Sequence, residues 1–206
     1  MPRPRRTIRR RLPRQERSRR LVEAIHEAAR RVLLEGGPEA LTTVNVAARA
    51  GVSVGSLYQY FAGREALLFA VFEDELARFR AAWRAFREPA PAVQATERLR
   101  EGLALVLEHY RRLAALDPAF YLAHKGELLR TPAGDEGDPL ARTSELLRSA
   151  RPGAFERIEA TAFLLARGIP AVLEAALAHD PGLLAHPDFA QELHRAVAAY
   201  VLPHAI

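Results

Sequence analysis

Thr42-Thr43-Val44-Asn45-Val46-Ala47-Ala48-Arg49-Ala50-Gly51-Val52-Ser53-Val54-Gly55-Ser56-Leu57-Tyr58-Gln59-Tyr60-Phe61-Ala62-Gly63-Arg64 is the stretch that decides the fold. It reads as two short helices that meet at a glycine turn, a helix-turn-helix. Thr42 or Thr43 can cap the first helix with a side-chain oxygen. Val46, Ala47 and Ala50 face inward, and the small Ala47 lets the two helices approach closely. Gly51 supplies the turn, where a positive φ is costly for other residues. Ser53 then caps the second helix, expected from Val54 to about Tyr60.

On that second helix Leu57 and Phe61 are four apart and point into the core. Val54, Gly55, Ser56, Tyr58, Gln59 and Tyr60 are left to the other faces. A helix in this setting enters a DNA major groove, and each of these side chains suits a part of the duplex. Gln59 can read a base edge, adenine being its best geometric match, and Val54 can meet a thymine methyl. Ser56 can bond to several partners, while the hydroxyls of Tyr58 and Tyr60 suit phosphate. Arg64 joins a positive charge to the start of the next helix, and both favour phosphate. Gly55 costs a helix about 1 kcal/mol relative to alanine, and close approach to DNA is a reason to keep it. With Thr42, Thr43 and Ser53, these residues are the candidate DNA contacts.

The rest of the composition fits such an element. Of 206 residues, 49% are hydrophobic and 27% charged, ordinary for a globular chain long enough to bury a core. Glycine and proline fall mostly between apolar-periodic runs, so an all-α fold is expected. The net charge of +5 is uneven. Residues 1–20 hold ten arginines against Glu16 alone, whereas the other 186 carry 20 Lys+Arg against 24 Asp+Glu, a net of −4. Residues 1–14 therefore read as a flexible basic arm, suited to phosphates or a minor groove. The absence of cysteine excludes disulfides and thiol chemistry. No apolar run approaches the roughly 20 residues of a membrane span, and no apolar segment follows the basic start, so the expected location is the cytoplasm with no membrane partner.

Residues 20–70 resemble the DNA-binding domain of the tetracycline-repressor (TetR) family of bacterial regulators. The features that carry the resemblance are Ala47, Ala50-Gly51-Val52-Ser53, Gly55-Ser56-Leu57-Tyr58, Tyr60-Phe61 and Arg64-Glu65-Ala66-Leu67-Leu68. Arg64 stands where the family most often has lysine, Val54 where a polar or basic residue is common, and Val44 where a charged one is frequent. The resemblance implies a homodimeric, all-helical repressor with a ligand-binding C-terminal domain. Residues 15–66 would then be the helix-turn-helix domain and 67–206 the effector-binding and dimerisation domain.

Downstream, the periodicity predicts helices throughout. The Arg64–Arg87 stretch is one long helix, stopped by Glu88-Pro89-Ala90-Pro91. Helical patterns follow over Ala92–Leu116, from Asp117-Pro118 to about Arg130, and over Leu140–Ala150, with an acidic loop at Thr131–Pro139. Residues 155–179 are apolar nearly all round and need cover on two sides, one of them from a partner subunit. A last helix over 187–202 turns Phe189, Leu193, Val197, Tyr200 and Val201 inward. In the family, the final two long helices form a four-helix dimer interface. Phe79, Trp83, Phe86, His109, Tyr110, Phe120, Tyr121, His124, Phe163 and Arg167 lie where the family's pocket-lining helices would converge. Apolar walls with a few polar groups suit a small hydrophobic effector.

No catalytic constellation stands out, and the seven histidines pair with no carboxylate at a metal-binding spacing. No enzyme activity, metal or cofactor is expected. The expected partners are double-stranded DNA with a palindromic operator, a small-molecule effector and a second copy of the chain. The competing readings are a helical ligand-binding protein and a transcriptional activator built on the same fold.

Overall fold

The computed structural model describes residues 16–87, 95–130, 140, 143–144, 147–148 and 158–201. The expected arm at 1–14, the proline break at 88–91 and the acidic loop at 131–139 lie outside them. Every regular element among the described residues is helical, as the periodicity required. In order these are α1 (Glu16–Ala40), α2 (Thr43–Ala50), α3 (Val54–Tyr58), α4 (Arg64–Arg87), α5 (Ala95–Leu116) and α6 (Pro118–Leu128). Isolated helical positions follow between 140 and 148. Then come α7 (Ile158–His179), a 3-10 turn (Pro181–Ala185) and α8 (Pro187–Val201).

The chain divides into two compact units, one of residues up to Leu76 with Ala115–Leu128, the other of Ala77–Ala114 with Leu129 onward. The first unit is built around the start of α4. Ala66, Leu67, Leu68, Phe69, Ala70, Val71 and Phe72 are all buried, seven in a row. An amphipathic surface helix cannot do this; the segment must be enclosed on every side. On α1, Val22, Ile25, Ala29 and Leu33 are buried, and His26 Nε2–H donates to Ala70 O at 2.9 Å. From α6 come Phe120 and Tyr121, which stack on Phe72 with centroids 5.5 and 6.2 Å away. Phe69 meets Phe120 edge-on at 5.1 Å. At Gly36-Gly37-Pro38 α1 breaks sharply, Gly37 adopting φ +74°, after which one more turn runs to Ala40.

The second unit has its own core. Leu103 of α5, Leu147, Ala162 and Leu165 of α7, and Val197 and Val201 of α8 are buried together. Arg111 Nε donates to Leu184 O at 2.6 Å, tying α5 to the 3-10 turn. One expectation needs correction here: Tyr200 is 48% exposed and does not point inward. Val197 and Val201, four apart, define the inward row, and the tyrosine falls at its edge. A second correction concerns α7. It is long and apolar enough, by length and composition alone, to cross a membrane, yet it carries Glu159, Arg167 and Glu174 and contributes to this core.

Candidate nucleic-acid interface

Two caps and a glycine set the helix-turn-helix. Thr42 Oγ1 accepts from Asn45 N at 3.1 Å and starts α2. Gly51 ends it at φ +67°, with its N–H returned to Ala47 O and Ala48 O. Ser53 Oγ then accepts from Ser56 N at 3.0 Å and starts α3. Each side-chain cap contributes about 1 kcal/mol, a large share for helices of eight and five residues. Leu57, Phe61, Val46 and Ala47 are buried beneath the pair.

Above that core the expected contact residues separate by exposure. Thr42, Ser53, Gly55, Tyr58, Gln59 and Arg64 are exposed, and Thr43, Val54 and Ser56 are half-buried. Tyr60 is the exception. It is 9% exposed and belongs to the core, so its reading as an outward phosphate contact is corrected. The helix stops at Tyr58, two residues earlier than expected, and Gln59 is its cap. Tyr60 N and Phe61 N both donate to Leu57 O, at 3.0 and 2.9 Å, and three and four residues on from Leu57 the two rings share its inward face. The Tyr58 hydroxyl lies 3.4 Å from Thr43 Oγ1, so the end of α3 and the start of α2 share one polar face.

Three features of this face come from the structure rather than from the sequence pattern. Val44, next to Thr43, is 60% exposed. Asn45 Nδ2 donates to Ala40 O at 2.8 Å and pins the turn that leads into α2. Arg64, expected only as a phosphate contact, donates from Nη2 to Pro38 O at 3.1 Å and lies 3.9 Å from the Asp117 carboxylate. Arg64 and Asp117 are far apart in sequence, which no local pattern can bridge.

The ten candidate effector residues fall in both units. Phe120, Tyr121 and His124 belong to the first unit, where His124 packs on Phe120 at 4.3 Å and on Phe69 at 5.2 Å. Phe79, Trp83, Phe86, His109 and Tyr110 form a strip in the second unit. Phe79 stacks on His109 at 4.2 Å, and Trp83 lies 6.1 Å from Phe79 and 5.2 Å from Phe86. His109 is nearly fully buried, and Tyr110 Oη donates to Glu174 Oε1 at 3.5 Å. The Arg98 guanidinium lies 4.1 Å over the Phe86 ring and donates to the Phe86 carbonyl. Arg98 and Glu174 are the polar members that sequence reasoning missed. Phe163 and Arg167 occupy exposed positions of α7. Among the described residues no group of three or more His, Asp or Glu could hold a metal ion.

Residues 25–71 match the family model described as bacterial regulatory proteins, tetR family. They run from α1 through the helix-turn-helix to the enclosed part of α4. This segment of the chain is similar to the bacterial regulatory proteins of the tetR family. Solved structures of the same fold include the fatty acid degradation regulator FadR from Bacillus halodurans, at 19% identity over 94% of this chain and 98% of that one, with a TM-score of 0.55. Salmonella enterica GusR matches at 22% identity over 92% and 98%, with a TM-score of 0.56. A TetR-family transcriptional regulator from Streptomyces coelicolor matches at 22% over 92% and 99%, with a TM-score of 0.52. At such identities the likeness is one of fold. No curated protein matches the sequence.

Proposed function

We propose that this protein is a transcriptional repressor of the tetR type that acts in the cytoplasm as a homodimer. It binds a palindromic operator and leaves it when a small hydrophobic effector binds the C-terminal domain. Residues 15–66 carry the DNA contact and residues 67–206 carry effector binding and dimerisation.

Gly55 is the observation that carries the DNA reading. It takes one of five positions in α3, yet nothing inside the protein requires it. A Cβ there would meet only Ser53 Oγ, at an ordinary 3.9 Å, and its φ is not positive. A helix gives up about 1 kcal/mol for that glycine. A close external surface accounts for it, and the exposed Thr42, Tyr58 and Gln59 around it are hydrogen-bonding groups that match such a surface. The ten arginines of residues 1–20 would add phosphate affinity and salt dependence.

The dimer reading is supported by α7 and α8. Phe163 and Leu164 are each 53% exposed, Val172 48% and Tyr200 48%, and only 28% of the most apolar stretch of α7 is buried within one chain. A second copy would cover that face and set two recognition helices about 34–36 Å apart, in successive major grooves. The effector reading is supported by the aromatic strip from Phe86 to Tyr110, with Arg98 and Glu174 at its edges. An effector releases DNA only through a difference in its affinity for the two states.

The test is a mobility shift on DNA flanking the protein's own gene, at several salt concentrations. A retarded band that resists competitor DNA is expected. Equal binding to unrelated duplexes would overturn the operator.

A further inference from the structure

We propose that Asp117 is a positioning residue for DNA binding: it holds the Arg64 guanidinium in the orientation that grips phosphate. This rests on the DNA-binding reading above and deepens it, because it adds a residue from α6 to the machinery of the helix-turn-helix.

The carboxylate of Asp117 serves two purposes. Oδ1 accepts from Phe120 N at 2.9 Å and caps α6, with Pro118 at the first helical position. That bond fixes the side chain, which is buried at 7% exposure. Oδ2 is thereby directed to Arg64, 3.9 Å from Nη2. The same Nη2 donates to Pro38 O at 3.1 Å. Pro38 O also accepts from Leu41 N at 3.1 Å, so it belongs to the turn that delivers the chain to Thr42, the cap of α2.

Arg64 is therefore held by one nitrogen of its fork, between the start of α6 and the turn before α2. A guanidinium has five N–H donors in one rigid plane. Those on Nε and Nη1 make no bond among the described residues, and the side chain is 46% exposed. The Pro38 bond and the Asp117 charge together bias the guanidinium's orientation, and its other edge is left open to a phosphate oxygen pair. A lysine has no second edge to offer and could not be oriented this way. The arrangement explains why a buried acid is tolerated close to a surface meant for a polyanion. Its cost in repulsion is offset by the order it imposes on the cation.

Sign distinguishes this from simple electrostatics. Removing a negative charge near a phosphate contact should tighten DNA binding if charge alone mattered. Positioning gives the opposite result. The probe is a duplex enriched by the wild-type protein from a random duplex library, titrated at several salt concentrations. Asp117→Asn keeps a capping oxygen for α6 and loses the charge. It should bind the probe about three- to tenfold more weakly, with thermal unfolding near wild type. Asp117→Ser, which also caps, serves the same purpose if the asparagine variant does not fold. Arg64→Ala should weaken binding and lower the salt slope by about one. In the Arg64→Ala background, Asp117→Asn should cost nothing further. Tighter binding by Asp117→Asn, or an equal loss when Arg64 is absent, overturns the proposal while leaving the DNA reading intact. A wild-type protein that enriches no duplex overturns both.

Discussion

Two helices of this protein leave a face without cover, and the two faces are chemically opposite. The short α3 shows Tyr58, Gln59 and the bare backbone of Gly55. The long α7 shows Phe163, Leu164 and Val172. The first face is made of hydrogen-bonding groups on a helix too short to stand alone, so it has to be held by caps and by the core beneath it. The second is apolar on a helix long enough to anchor its own core, and its exposed side keeps a cost in water until something covers it. A hydrated polyanion suits the first face and a second copy of the same surface suits the second. The contrast shows that what a helix leaves uncovered says more about its partner than what it buries.

Breaking the apolar face should have the largest effect. Phe163→Arg with Val172→Arg places two charges where a partner copy would pack. The protein should become monomeric by analytical ultracentrifugation, with operator affinity down about a hundredfold because the two half-sites are no longer linked. A dimer of unchanged stability would remove α7 from the interface. On the polar face, Gln59→Ala should relax preference at one base position by about 1–3 kcal/mol, read from affinities across single-base operator variants. Next is Gly55→Ala. It should raise thermal stability by at most about 1 kcal/mol and still weaken DNA binding, a split that a merely structural glycine would not give. The smallest effect belongs to Tyr58→Phe, a loss of only a few-fold, similar for all sequences, since a hydroxyl on phosphate carries no base preference.

Legibility in the sequence followed the range of the interactions. The caps at Thr42 and Ser53 and the positive φ at Gly51 were readable because each depends on residues within a few positions. Tyr60 is buried because it lies three residues from Leu57 and beside Phe61, on the inward face that the Leu57–Phe61 pair already marked in the sequence. The effector list was the least legible part. Aromatic residues at helical spacing mark a buried face but not which body it is buried in. Phe120, Tyr121 and His124 pack with Phe69 and Phe72, while Phe79, Trp83 and Phe86 pack with His109 and its neighbours.

The sequence by itself determined the all-helical class, the helix-turn-helix and its turn chemistry, and the basic start of the chain. These follow from local periodicity, short-range hydrogen bonds and charge counting, which need no knowledge of distant residues. Only the tertiary structure decided that seven consecutive residues of α4 are enclosed, that Asp117 reaches Arg64, and that α7 turns an apolar side outward. Each depends on which helices lie beside one another. That is set by packing over the whole chain, and the pattern of any single segment is compatible with several arrangements.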